Sequence, residues 1–105
     1  MKKMILSSVA VICVGSAAAA QGGGNPDSGK ALAEANCSQC HNIAPGGATK
    51  LFPPSFAAIA AYMHPDMVPI KIMYPDHAAI MPQFNTYMNA TNLDDLVAYI
   101  HSLEE

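Results

Sequence analysis

The chain is 105 residues long and carries eight acidic residues against five lysines and no arginine, a formal net charge of −3. That length holds one domain at most. An acidic chain without basic patches argues against nucleic acid or an anionic membrane surface as a partner.

The start has the layout of a cleaved secretory signal. Lys2 and Lys3 precede a mostly apolar run from Met4 to Val14, and "GSAAAA" follows with Ala18 and Ala20 in an A-x-A arrangement. The run is too short to span a bilayer comfortably, so the mature form is not expected to be membrane-embedded. Cys13 raises a lipid-anchor alternative, but the bulky Ile12 stands where a small residue usually precedes a lipid-modified cysteine. With residues 1–20 set aside, 85 residues remain, with Lys30, Lys50 and Lys71 against all eight acids and a net charge of −5.

Residues 21–26 read as a flexible leader, and residues 27–105 as the folded domain. Asn25 can cap a first helix and Pro26 can take its first position, so "GKALAEAN" carries the chain helically into a pair of cysteines. "NIAPGGATKLFPPS" is loop, because Pro53-Pro54 and the Gly-Gly pair block a regular ladder. "FAAIAAYM" is a short helix capped by Ser55. "HPDMVPIKIMYP" offers another turn or two, with Pro69 confined to its beginning. "DHAAIMPQFNTYMNAT" is mostly loop. Leu93, Leu96, Val97, Ile100 and Leu103 then repeat at helical spacing. Thr91 with Asp94 resembles a capping box there, and Asp94 and Asp95 suit the positive end of the helix. No β pattern or internal repeat is present, so the fold class is all-α.

Eighty-five residues make a thin core, and small exported domains add disulfides, a metal or a cofactor. A Cys37–Cys40 disulfide would close too small a loop to stabilise much. The pair belongs instead to "CSQCH", Cys37 to His41, and three devices use C-x-x-C. Zinc needs four ligands, and no second cysteine pair exists; His64, His77 and His101 lack finger-like spacing. A redox dithiol opens a helix after a strand, and no βαβ pattern exists. Covalent haem attachment, C-x-x-C-H, accounts for every residue: two thiols add to the two vinyl groups of one porphyrin edge, and the adjacent histidine reaches the iron. One haem c also supplies the missing core.

Gly29 eight residues before Cys37, "CSQCH", "FPPSF", and "IMPQF" followed by "LDDLVAYIHSL" together resemble the small bacterial monohaem class I c-type cytochromes, over nearly all of the mature chain. The resemblance implies crossing N- and C-terminal helices, with short helices and loops wrapped around one covalent haem. It implies Cys37 and Cys40 as thioether attachments, His41 and the Met81 of the Met-Pro pair as axial ligands, and the Pro54 carbonyl as the acceptor for His41 Nδ1–H. It also places Tyr99 over Gly29. Ala33 departs from the pattern, which often has an aromatic there, so the helix contact is expected to be closer or less filled.

The residues themselves also favour Met81 as sixth ligand. Met63, Met67 and Met73 lie in apolar, helical stretches where methionine is usually core filler. Pro82 pushes Met81 out of helix and frees its side chain. His77 and Met88 compete; bis-histidine ligation would lower the potential relative to Met/His. His64 and His101 read as surface or helix-flank residues. Tyr62, Tyr74 and Tyr87 read as packing residues, one of which could bond a haem propionate. The function expected from all this is a soluble periplasmic one-electron carrier, monomeric, exchanging electrons with redox partner proteins and not an enzyme. A ligand-binding or peroxidase-like haem protein with a labile sixth ligand, or a fixed haem subunit of a larger oxidoreductase, are the alternatives.

Overall fold

A computed structural model describes residues 10–11, 23–47, 52–76 and 80–104. The segment read as a secretory signal lies almost wholly outside the described residues, and so do Lys50 and His77. Every regular element described is helical: α1 (Pro26–Asn36), α2 (Phe56–Tyr62), α3 (Met67–Met73), a 3₁₀ turn (Phe84–Thr86) and α4 (Ala90–His101). No helix among the described residues is long and apolar enough to cross a membrane.

The helix starts follow local chemistry. Asn25 is extended, and its side-chain oxygen accepts from the N–H groups of Asp27 and Ser28, with Pro26 in the first helical position, where no N–H is needed. Ser55 is fully buried, and its hydroxyl accepts from Ala58 N–H at 3.1 Å to open α2. Pro69 is the third residue of α3, within the first turn, where its missing N–H costs no helical bond.

α4 begins earlier than the Thr91–Asp94 capping box would have it. Asn89 is the cap: it is extended (φ −84°, ψ 170°), and its side chain accepts from Asn92 N–H at 2.8 Å. Asparagine caps better than threonine, so the start moves two residues upstream. Asp94 and Asp95 consequently fall beyond the first turn, which contains no acid. Asp95 has a different task, since its Oδ1 accepts from the Asn25 N–H at 2.7 Å.

α1 against α4 is the most extensive contact between elements. It is a contact of backbones. A Cβ built on Gly29 would overlap the Asp95 carbonyl and lie 2.9 Å from Tyr99 Cβ; one on Gly24 would overlap the Asp94 carbonyl. Gly24 and Asn25, at the end of the stretch read as a flexible leader, are thus held against α4. Ala33, with no exposed surface, fills the next turn of the interface without needing an aromatic ring. Below it lie Leu96, Ile100, Phe56 and Val68, all 4 % exposed or less. Burying a side chain of that kind is worth about 1.5–3 kcal/mol.

Gly29→Ala separates two effects. Helix propensity alone would stabilise the variant by about 1 kcal/mol. The overlap with a backbone carbonyl, which cannot rotate away, should win and destabilise by roughly 3 kcal/mol or more. A melt of the haem-loaded protein should show the midpoint falling by about 10 °C or more.

Candidate functional site

α1 ends at Asn36, and the chain winds directly into one further turn. Cys37 and Ser38 both donate their N–H groups to the Ala33 carbonyl, at 2.9 and 3.0 Å. The Cys37 carbonyl then accepts from Cys40 N–H at 3.2 Å and His41 N–H at 2.9 Å. This turn brings Cys37, Cys40 and His41 together on the end of a helix that α4 holds in place.

The two thiols are not bonded to each other, and their settings differ. Cys37 is buried in the core and Cys40 is exposed. Burial pushes the Cys37 thiol up to about 11. A dithiol oxidoreductase needs the opposite, a thiol lowered toward neutrality by positive surroundings. Among the described residues, moreover, no group of three or more His, Cys, Asp or Glu side chains converges as a metal cluster would.

His41 is half-buried, and its Nδ1 lies 2.6 Å from the Pro54 carbonyl oxygen. A carbonyl only accepts, so Nδ1 carries the proton and Nε2 carries the lone pair. That is the tautomer a metal-bound imidazole adopts when a carbonyl orients it. The loop bearing Pro54 is tied to the same region: Phe56 N–H donates to the Asn42 carbonyl at 2.9 Å, and the Phe56 ring is 5.6 Å from the His41 ring.

Met81 is half-buried in the loop before the 3₁₀ turn and packs against the core cluster that contains Cys37 and Phe56. Met88, its methionine competitor, is a core residue with 8 % exposure. Met63 and Met73 pack against the same core, whereas Met67 faces outward at the start of α3, contrary to its reading as filler. His64 is exposed beside Asp66. His101 closes α4 as a flank residue, but its Nε2 is buried without a hydrogen-bond partner among the described residues. Tyr62 and Tyr74 are exposed; Tyr87 meets Phe84 edge-on, 5.4 Å between ring centres, and is otherwise exposed.

One contact was not legible in the sequence. Tyr99, expected to pack over Gly29, also donates its hydroxyl to the Ile43 carbonyl at 2.6 Å. Burial, and then the negative charge of Glu34, push its phenol up, so it remains a donor throughout the neutral range. No local pattern announces a bond across 56 positions.

Two thiols on one turn, an imidazole whose Nε2 carries the lone pair, and a thioether packed on the core that Ile43, Ile59, Leu93 and Val97 also cover form a donor set that fits a covalently held haem. The family model described as cytochrome c oxidase, cbb3-type, subunit III matches residues 24–100. No curated protein and no solved structure matches the chain.

Proposed function

The chain belongs to the family of cbb3-type cytochrome c oxidase subunit III, a small monohaem c-type cytochrome with covalently bound haem c, and from that premise we propose that it is a one-electron carrier closed at both axial positions. The observation that carries the reading is the His41–Pro54 pair at 2.6 Å, with the Met81 thioether packed on the same core.

Bound haem supplies one-electron cycling between ferric and ferrous iron. Cys37 and Cys40 would hold it by thioether bonds. His41 would offer Nε2 to the iron while Pro54 holds the proton on Nδ1. Met81 would offer a soft, neutral sulfur, which would favour the ferrous state and raise the potential. With both positions so taken, no site would be left for a small molecule, and the protein would carry electrons rather than catalyse a reaction of its own. Residues 1–20 direct export and are removed, and the mature chain works in the periplasm.

Docking follows from surface charge. The stretches "CSQCHNIAPGGA" and "AAIMPQFNTYM" carry no charge apart from histidine, and Phe52, Ile80 and Tyr87 are exposed large apolar residues. Partners are therefore met through apolar contact around the haem edge, in a small and transient encounter. The second-order rate of electron transfer to the native acceptor should change only mildly, about two-fold, from low to high salt. A steep fall would mean a strongly basic partner.

The family's description favours a second reading, a fixed haem subunit of an oxidase. Purification from the native source decides between them. A carrier is recovered alone and exchanges electrons in second-order steps, whereas a subunit is recovered in stoichiometric complex.

A further inference from the structure

His41 is held from more places than its own turn. Its N–H donates to Cys37 and its Nδ1–H to Pro54. The two carbonyls that follow it are also taken: Asn42 O by Phe56 N–H, and Ile43 O by the Tyr99 hydroxyl at 2.6 Å. The Tyr99 ring centre is 6.4 Å from that of Phe56, whose ring in turn lies 5.6 Å from the His41 ring. Tyr99 itself is fixed, 5 % exposed and pressed on Gly29.

The segment between Tyr99 and His41 can transmit that hold. Asn42 Oδ1 accepts from Ala44 N–H at 3.1 Å, and the Asn42 amide covers Gly47 so closely that a Cβ there would collide with it. Residues 42–47 are therefore a compact loop and not slack chain. Packing over Gly29 needs only a ring, which phenylalanine would supply. The hydroxyl is needed only for Ile43.

We infer that Tyr99 is a positioning residue for His41: by holding the Ile43 carbonyl it fixes the loop that keeps His41 Nδ1–H on the Pro54 carbonyl. This rests on His41 being the axial ligand. A firm Nδ1–H···O bond makes the imidazole a stronger donor through Nε2 and favours ferric iron. Loosening it favours the ferrous form.

The test compares haem-loaded Tyr99→Phe with Leu96→Ala, a core change on the same helix at a residue that makes no side-chain hydrogen bond to the loop. In Tyr99→Phe the equilibrium for reduction should move toward the reduced form by roughly two- to five-fold, the weight of one ordinary hydrogen bond. Exchange of the His41 Nδ1 proton, followed by NMR, should quicken as well. Leu96→Ala should lower the melting temperature more, yet leave both readouts unmoved. If Tyr99→Phe only melts earlier, with equilibrium and exchange unchanged, the hydroxyl is a packing feature and the inference is overturned. If the wild-type ferric protein shows no hyperfine-shifted ring resonances from His41, the axial reading itself fails, and that result is visible before any variant is made.

Discussion

Replacing Cys37 and Cys40 together with alanine should leave a chain that neither melts cooperatively nor survives proteolysis. The reason lies in the size of the core. Among the described residues the fully buried large apolar side chains are Leu96, Ile100 and Val68. Small domains with so little apolar burial are marginal without a staple. The family's covalent haem is that staple, and Cys37 already belongs to the core cluster it would extend. Its loss should remove the whole of a stability that for small domains is about 5–15 kcal/mol. Circular dichroism during heating, with limited proteolysis alongside, checks this. A compact double variant with a sharp melt would mean that haem does not build the fold.

Met81→Ala has the second large effect. On the proposed ligation, removing the sulfur should open the sixth position, turn the iron high-spin and let the reduced protein bind carbon monoxide. Its potential should fall by about a hundred millivolts or more, within the ~0.8 V span that axial ligation controls. Met88→Ala is the matched control. Met88 is a core residue, so that variant should lose about 2–5 kcal/mol of stability while keeping its spin state. An unchanged sulfur-to-iron charge-transfer band in ferric Met81→Ala would transfer the assignment to another methionine.

What could be read from the sequence is what depends on near neighbours. Asn25 with Pro26, Ser55 before Phe56, and Pro69 early in α3 each act within one turn, so their chemistry is visible in a few consecutive letters. The apolar repeat from Leu93 to Leu103 needs only helical geometry, and the proposed haem attachment through "CSQCH" is compact for a mechanical reason, since two thiols would have to reach one porphyrin edge. Gly29 under Tyr99 came from the resemblance, and the backbone overlap there gives its physical cause.

What escaped depends on tertiary placement. The Asp95 carboxylate meets Asn25 N–H across 70 positions, and the Tyr99 hydroxyl meets Ile43 across 56. Neither residue type betrays its partner. Gly24 looks like the rest of "QGGGNP" until α4 is laid against it. The α4 cap is a milder case: Asn89 and Thr91 are both competent caps two residues apart, and the better cap, Asn89, takes the helix start.

The proposed carrier has an iron with both axial positions held by this chain's own side chains. Reductive titration of the haem-loaded mature protein, followed by visible spectra with and without carbon monoxide, tests it most directly. One reversible one-electron wave is expected, with low-spin spectra in both states, a ferric sulfur-to-iron band, and a reduced spectrum that carbon monoxide leaves unchanged. A high-spin signal, or a shift under carbon monoxide in the wild-type protein, would contradict it.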